Sequence, residues 1–368
     1  KKVAFIPTPE TPTNCTFGGE DWKTLYVTAG KSLYRIRLNA AGFPEHTPPG
    51  EKNLRGAIER GLRRLEEGAR NYVTHRDCFS CHHQAMAITA LSKAKRLGFE
   101  IDEELLRDQV NFTLDFFRPK LETIRKGSGV GGANATASYA LYTLEAAGHP
   151  ADETTDALVQ FLVRRQRGDG SWPSPSKRPP TEGSPFTNAG LALQVLKTYG
   201  KARPDSGQPD DWSEQVARAI GKGREWLLRS EPSDTEDRVF HLRALLAIGA
   251  DAKLIDAARE ELIELQHADG SWSQLPGMEG DAYATGTVLV ALRLSGVPAD
   301  HPAVRKGVSY LLRTQRDDGA WLVETRSRPI QVFFDNGDPG GKSQFISMAA
   351  TGWGVLALLE VFDREAGR

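Results

Sequence analysis

The chain has 368 residues, 39% of them hydrophobic and 26% charged, with a formal net charge of −1 at pH 7. A chain of this length can bury a sizeable core, and its charge gives no reason to expect nucleic acid or an anionic membrane as a partner. Its three cysteines are too few for a disulfide framework. No signal-peptide pattern is visible, and no apolar run approaches the ~18 residues of a membrane span.

Residues 1–43 predict a short β segment. The run from Lys23 to Asn39 alternates apolar and polar residues and is interrupted at Gly30, which predicts a hairpin with strands near Leu25–Thr28 and Ser32–Arg37. The stretch PTNCTFGGEDWKTLYVTAGKSLYRIRL resembles the closing blade of gluconolactonase-like propellers. That resemblance implies a remnant of a larger sheet, and residues 44–51 read as a linker.

From residue 52 onward the pattern is helical and repeated. Three segments share an amphipathic helix end, a glutamine, and then Asp-Gly-Ser/Ala-Trp: FLVRRQRGDGSWP at 161–173, LIELQHADGSWSQ at 262–274 and LLRTQRDDGAWLV at 311–323. The Asp-Gly pair is typical of a turn after a helix, and the tryptophan can fill the gap between neighbouring units.

Polar helices alternate with helices rich in small residues. The polar ones are predicted near 52–73, 102–118, 151–167, 212–230, 252–266 and 301–315. Five of the six small-residue helices end at a glycine placed as a helix C′ residue: Gly98, Gly148, Gly200, Gly249 and Gly296. Small residues suit an inner ring where backbones approach closely. The predicted fold is therefore mainly α, an (α/α)6 toroid over residues 52–368.

The Gln…Asp-Gly-Ser-Trp units resemble the QW repeats of squalene–hopene cyclases and prenyltransferase toroids, over about residues 52–362. The resemblance implies the fold more strongly than an activity. Such cyclases protonate their substrate with a DxDD cluster, which this chain lacks; its Asp-Asp pairs at 210–211 and 317–318 lie in a loop and a turn. Aromatic candidates for stabilising a carbocation are few: Tyr139, Phe186, Tyr283, Phe345 and Trp353. A prenyltransferase zinc set is not found either.

The segment DCFSCHHQAMA, residues 77–87, opens the first inner helix with Cys78, Cys81 and His82 in a CxxCH pattern. A redox thiol pair, a zinc knuckle and two buried cysteines are the alternatives. We favour one covalent haem c, with Cys78 and Cys81 as thioethers and His82 as the proximal ligand. The pattern CxSCHHQ before a QW toroid also resembles a group of exported bacterial haem-motif toroids.

The distal haem ligand is expected from across the ring. Met348 lies near the level of His82 when the inner helices are aligned, and the sixth hairpin should close against the first. As the resemblance implies, relatives carry a histidine in the preceding loop, where this chain has Lys342 as a fallback. The same loop, 335–342, has oxygen ligands at plausible Ca²⁺ spacing but lacks the terminal glutamate of an EF-hand.

The sequence thus favours a mono-haem c-type cytochrome for electron transfer, exported to the periplasm or cell surface. Its partners would be redox proteins in a larger assembly, with no nucleic acid and no membrane span. One alternative is a five-coordinate haem sensor or a peroxidase-like protein. The other is a toroid with zinc or without any cofactor, acting as a terpenoid-cyclase-like enzyme or a scaffold.

Overall fold

The computed structural model describes residues 6–18, 23–39, 51–173, 178–203, 208–328 and 332–365. The chain divides into two units, Lys1–Pro48 and Pro49–Arg368. The predicted linker at 44–51 lies outside the described residues except for its last position, which begins a helix.

The first unit contains a three-stranded antiparallel sheet in the order β1-β2-β3. Its strands are β1 (Pro12–Gly18), β2 (Thr24–Ala29) and β3 (Ser32–Arg37). The predicted hairpin is confirmed as β2 and β3, with Ala29 opposite Ser32 at the tight turn. Strand β1 was not predicted, because the alternation in PTNCTFG is weak. The likeness of this segment to a propeller blade stays a prediction.

The second unit is the predicted helical toroid, built from outer and inner helices in alternation. The outer helices are α1 (Glu51–Val73), α3 (Glu103–Phe117) with the short α4 (Leu121–Arg125), α6 (Glu153–Arg165), α8 (Trp212–Arg229), α10 (Ala252–Glu264) and α12 (Pro302–Thr314). The inner helices are α2 (Met86–Arg96), α5 (Ala133–Ala146), α7 (Pro185–Tyr199), α9 (Thr235–Ile248), α11 (Ala282–Leu294) and α13 (Gln344–Glu365). Each inner helix packs on the next, and α13 packs on α2, so the inner ring is closed.

The tryptophan of each Asp-Gly-Ser/Ala-Trp turn holds the turn against the preceding outer helix. Each indole is buried and donates its Nε1–H to a carbonyl of the preceding outer helix: Trp172 to Leu162 at 2.9 Å, Trp272 to Leu262 at 2.6 Å, and Trp321 to Leu311 at 2.8 Å. Burying a tryptophan with its N–H satisfied contributes a large apolar area without an unpaired donor.

The glutamine of each turn ties one hairpin to the next. Its side-chain amide donates to a carbonyl of the next outer helix: Gln166 to Ala219 at 2.8 Å, Gln266 to Ala303 at 2.9 Å, and Gln315 to Ala57 at 2.9 Å. The last of these joins the sixth hairpin to the first. The bond that links neighbouring units elsewhere therefore also closes the ring.

Four of the five predicted C′ glycines have the expected positive φ, between 60° and 93°. Gly200 differs, with a φ of −79°. A Cβ at this position would lie 2.3 Å from the Leu196 carbonyl oxygen and 2.6 Å from the Val216 Cγ1, so close contacts with the end of α7 and with α8 explain the glycine better than backbone handedness does.

Helix α13, with 22 residues, is the longest of the inner helices. The stretch Gly341–Asp363 is long and apolar enough to cross a membrane by length and composition, but 89% of its most apolar window is buried inside the protein. This burial is what the core helix of a ring requires.

Candidate active site

The mouth of the ring at the N-termini of the inner helices contains an acidic turn, Asp234-Thr235-Glu236-Asp237, at the start of α9. Asp234 is the N-cap residue, and its carboxylate accepts the backbone N–H of Asp237 at 2.9 Å. Asp237 in turn accepts the hydroxyls of Ser184 at 2.6 Å and Ser233 at 2.7 Å. These contacts fix the outer two carboxylates of the turn.

Glu236, the middle acid, points into the ring and is 3% exposed. Its Oε1 accepts the Thr187 hydroxyl of α7 at 2.9 Å, and the Tyr283 hydroxyl of α11 lies 3.3 and 3.2 Å from its two oxygens. Burial raises the pKa of Glu236 to about 7, and the negative charges of Asp234 and Asp237 act in the same direction. The two hydrogen bonds favour the carboxylate but do not outweigh burial.

Two tyrosines surround this acid. Burial holds the pKa of Tyr139 and Tyr283 well above 10, with the Glu236 charge as a second cause, so both are neutral phenols. The Tyr139 hydroxyl is buried and has no hydrogen-bond partner among the described residues. A buried hydroxyl without a partner is uncommon and marks a place where a ligand or water can bind.

A cavity of about 110 Å³ lies near this site, lined by Cys81, His82, Lys342 and Phe345 on one side and by residues 178–182 on the other; Glu236 and Tyr283 are not part of its wall. The loop that contains residues 178–182 is held in place by Ser327, whose hydroxyl donates to the Pro179 carbonyl at 2.6 Å. The Thr181 hydroxyl lies 3.3 Å from that of Tyr283, which joins the cavity wall to the acid.

The CxxCH residues lie at this mouth, but they are engaged with protein. A π-helical turn, Cys81–Ala85, opens α2. The Cys78 Sγ lies 3.3 Å from the Tyr72 hydroxyl, and burial raises the pKa of Cys81 to about 12. The His82 ring stacks on Phe345 with centroids 4.7 Å apart, and burial holds its pKa well below 6.5.

His83 takes part in a buried polar network rather than in ligand binding. Its Nε2 lies 2.6 Å from the Asp338 Oδ2, and Arg64 donates to the other oxygen of Asp338 at 2.9 Å. Its Nδ1 lies 2.5 Å from the Nδ1 of His82. Asp338 and its neighbour Asn336 belong to the loop that the sequence offered as a cation site, and here they are hydrogen-bonded to protein.

The two predicted distal ligands do not face His82 in a way that leaves room for a porphyrin. Met348 is 1% exposed, and its side chain packs against α1, where a Cβ on Gly68 would lie 2.3 Å from the Met348 Cε. Lys342 lines the cavity that also contains His82, but about 110 Å³ is far less than a haem requires.

Comparisons with known proteins agree on the fold, an α/α toroid like that of terpene cyclases. Residues 213–366 match the family model described as squalene-hopene cyclase C-terminal domain. The squalene–hopene cyclase of Zymomonas mobilis is 25% identical over 274 residues, 63% of this chain and 40% of that protein. A probable squalene–hopene cyclase of Sinorhizobium fredii is 26% identical over 275 residues, 64% of this chain and 39% of that protein. The matched region spans about two fifths of these relatives.

Solved structures show the same fold. A variant of the type II terpene cyclase MstE from Scytonema, in complex with geranylgeranyl dihydroxybenzoate, aligns with a TM-score of 0.53 and 14% identity over 84% of this chain and 97% of its own. A possible GH105 family member from Klebsiella pneumoniae aligns at 0.52, with 10% identity over 86% and 94% of the two chains. At these identities the likeness concerns the fold alone.

These findings overturn the haem prediction. The matching family and relatives are cyclases, whose chemistry uses no haem, so the mono-haem cytochrome with electron-transfer function is wrong. The five-coordinate haem alternative falls with it. The physical reason is local: a CxxCH spacing fixes which residues are near in sequence but not whether a porphyrin-sized space lies beside them. Among the described residues, no three His, Cys, Asp or Glu side chains form a set that could hold a metal ion.

The sequence analysis did not identify the Asp234–Asp237 turn as a candidate acid site, because the turn does not match the DxDD motif. The turn reads D-x-E-D, which differs from that motif by one methylene group at the third position. A search that accepted Glu there, at the N-terminus of an inner helix, would have found it. Of the predicted aromatics, Tyr139 and Tyr283 lie at the acid and Phe345 beside the cavity, whereas Phe186 packs on Trp226.

Proposed function

We propose that this protein is a terpenoid-cyclase-like enzyme in which Glu236 is the general acid that protonates a carbon–carbon double bond of an isoprenoid. One observation carries the proposal: a fully buried glutamate with a pKa of about 7 is held by Thr187 and Tyr283 at the mouth of a cyclase-type ring. A pKa near neutrality leaves a substantial fraction of the acid protonated at physiological pH, whereas an ordinary glutamate is almost fully ionised there.

The proposed proton transfer needs only the alkene and the protonated carboxyl group of Glu236. The π electrons of the alkene form a new C–H bond, the O–H bond of Glu236 breaks, and a carbocation and a carboxylate result. The hydroxyls of Thr187 and Tyr283 then donate to the new carboxylate, which stabilises the charge where it develops. Ring closure moves the cation, and loss of a proton from the product to water or to the carboxylate ends the reaction without any oxidant.

The surroundings of Glu236 suit a cation intermediate. Tyr139 and Tyr283 are neutral phenols, and a neutral aromatic ring attracts a cation to its face. The acidic neighbours Asp234 and Asp237 add negative charge at the same mouth. Burial excludes water, which would otherwise quench a carbocation.

The cavity nearest the acid reaches it only through the contact of Thr181 with Tyr283, and its size limits what can bind there. A cavity of about 110 Å³ accommodates one end of an isoprenoid, not a whole polyene. Typical small-molecule sites measure roughly 300–1,000 Å³. We therefore propose that the loop containing residues 178–182 moves aside when the substrate enters, because it forms one wall of the cavity and contacts Tyr283 through Thr181.

The test is conversion of isoprenoid alkenes in D₂O by the purified protein. The probes are squalene and a geranylgeranyl arene. The relatives are squalene–hopene cyclases, and the solved MstE structure contains geranylgeranyl dihydroxybenzoate. We expect a cyclised product that carries one deuterium from the initiating step. Glu236→Gln should abolish its formation, and Glu236→Asp should retain part of it.

The control is Asp317→Asn, which removes an exposed carboxylate from one of the tryptophan turns, far in sequence from α9. It should leave conversion unchanged. Equal conversion by Glu236→Gln and the unaltered protein would refute the assignment of the acid. No conversion of either probe by the unaltered protein would favour the scaffold alternative for this ring.

A further inference from the structure

The opposite end of the ring contains a second, larger cavity. It measures about 620 Å³ and lies at the C-terminal ends of the inner helices, each of which contributes to its wall. One residue from each helix shows the mixture of apolar and charged groups: Lys93, Tyr142, Gln194, Arg243, Leu294 and Glu360. A cavity of this size falls in the range of small-molecule sites. We call it the lower chamber.

Arg243 is the unusual residue of the lower chamber. It is 8% exposed, and its guanidinium carbon lies 5.4, 4.9 and 5.3 Å from the ring centroids of Tyr142, Phe240 and Trp353. Its Nη1 is buried without a hydrogen-bond partner among the described residues. The aromatic rings stabilise the cation but accept no conventional hydrogen bond, so the guanidinium retains donors for a ligand.

A second polar atom of the same wall also lacks a partner. The Thr89 hydroxyl of α2 is buried and has no hydrogen bond among the described residues, and Thr89 lines the lower chamber with Arg243. Buried donors are nearly always satisfied in native proteins, by protein, water or ligand. These two unsatisfied donors line the same cavity from α9 and α2, which lie across the ring from each other, and so indicate an acceptor bound between them.

The charges around the lower chamber favour a single negative charge on that acceptor. Its wall contains three basic residues, Lys93, Arg96 and Arg243, and two acidic ones, Glu145 and Glu360. Lys93 is paired with Glu360 at 2.9 Å, and Glu145 accepts the amide of Gln194 at 2.7 Å. The wall therefore has one positive charge in excess. The helix C-termini at the rim favour cations, but Arg243 lies more than a turn before the end of α9, where this effect has faded.

We propose that the lower chamber binds a monocarboxylate with an apolar body, whose carboxylate pairs with Arg243 and is bound by Thr89. A planar carboxylate matches the guanidinium fork in a bidentate pair. The body would lie against Leu246, Val290 and Leu356, which supply the apolar part of the wall.

This site is separate from the acid at the other end of the ring. Phe240 and Trp353 pack against the Arg243 guanidinium, are fully buried and are not part of the chamber wall. Glu236 and its partners Thr187 and Tyr283 are absent from the chamber wall. The inference therefore does not rest on the proposed function.

The experiment is isothermal titration calorimetry of the full chain with decanoate and with decanol, which share an apolar body and differ in the carboxylate. We expect saturable binding of decanoate and at least about tenfold weaker binding of decanol. Arg243→Gln should weaken decanoate binding by about tenfold or more, because it removes a charge-assisted hydrogen bond to the carboxylate. The decanol affinity should be unaffected by this substitution.

A second variant keeps the test decisive if Arg243→Gln misfolds. Ala247→Phe fills the chamber from α9 without touching a charge, and it should abolish binding of both probes. Glu236→Gln, at the other end of the ring, should bind decanoate as the unaltered protein does. Equal affinity for decanoate and decanol, or unchanged decanoate binding by Ala247→Phe, would overturn the proposal.

Discussion

The Tyr283 hydroxyl of α11 lies within hydrogen-bonding distance of both carboxylate oxygens of Glu236 on α9, at 3.3 and 3.2 Å. Two neighbouring inner helices therefore share one titrating group at their N-termini. A phenol that faces both oxygens can donate to whichever one has lost the proton. The acid is thus oriented by its neighbours before any substrate arrives, as preorganised catalysis requires.

Glu236→Gln should make the stability of the protein less dependent on pH. The pKa of Glu236 is about 7 in the folded protein and 4.5 for an ordinary glutamate, so the folded state binds more protons between these values. Stability from this group is complete below pH 4.5 and is lost as pH rises through about 7. The unaltered protein should lose about 3 kcal/mol more than the variant over that window. Urea unfolding at several pH values measures this, and parallel curves would contradict it.

Tyr283→Phe should raise the pKa of Glu236 further. The substitution removes a donor that favours the carboxylate and leaves the aromatic ring in place. The acid would remain protonated to higher pH, and the alkaline limit of its activity would move upward. Infrared spectroscopy of the protonated carboxyl group, followed through a pH titration, reports the shift directly. Tyr199→Phe, at the far end of α7, is the matched control and should leave the titration unchanged.

Asp338→Asn should destabilise the fold strongly. The carboxylate of Asp338 pairs with Arg64 at 2.9 Å and with His83 at 2.6 Å, and its side chain is fully buried. Removing one partner of a buried charge pair costs about 3–5 kcal/mol, because the other charge is left uncompensated. Glu67→Gln removes the exposed partner of the same arginine and should cost less than about 1 kcal/mol. Equal losses in chemical denaturation would show that the buried network is not the source of stability.

Gln315→Ala should cost at least as much unfolding free energy as Gln266→Ala, because the Gln315 Oε1 also accepts a hydrogen bond from Arg60 at 2.8 Å. Each removes an amide that bonds a turn carbonyl and the next outer helix, at 3.1 and 2.9 Å for Gln315 and at 2.9 Å for both bonds of Gln266. We expect about 1–2 kcal/mol for each pair of bonds. A much smaller loss for Gln315→Ala would mean that the first and sixth hairpins are joined more loosely than the other neighbours.

Most of the ring could be predicted from the sequence because its cause is local and repeated. Asp-Gly turns follow amphipathic helices and so predict where each helical hairpin ends. Small residues on alternate helices predict which helices pack closely against one another. The six polar outer helices begin and end within two residues of their predicted bounds, whereas the short α4 was not predicted. Gly200 departed from the expectation because close contacts with the Leu196 carbonyl oxygen and with Val216 of α8 require the glycine, and the second of these is a tertiary contact that a local pattern does not contain.

The site was less predictable because its residues come from different hairpins. Thr187, Glu236 and Tyr283 meet only after the ring forms, and none is unusual in its own segment. The CxxCH pattern stood out in the sequence because the chain has few cysteines. In the structure, however, Cys78 contacts Tyr72 and His82 stacks on Phe345. The predicted periplasmic or surface location rested on haem attachment and loses that support.

The bond from Gln315 to the Ala57 carbonyl has the same form as the bonds between hairpins that are consecutive in the chain. In the folded ring, the junction between the first and last hairpins therefore resembles the junctions between consecutive hairpins. Cutting the chain between two other hairpins and joining α13 to α1 by a linker should therefore give a circularly permuted protein with the same ring. During synthesis, however, the junction between the first and sixth hairpins forms last. The inner surfaces of α1 and α2 therefore stay exposed to water until the apolar α13 packs against them.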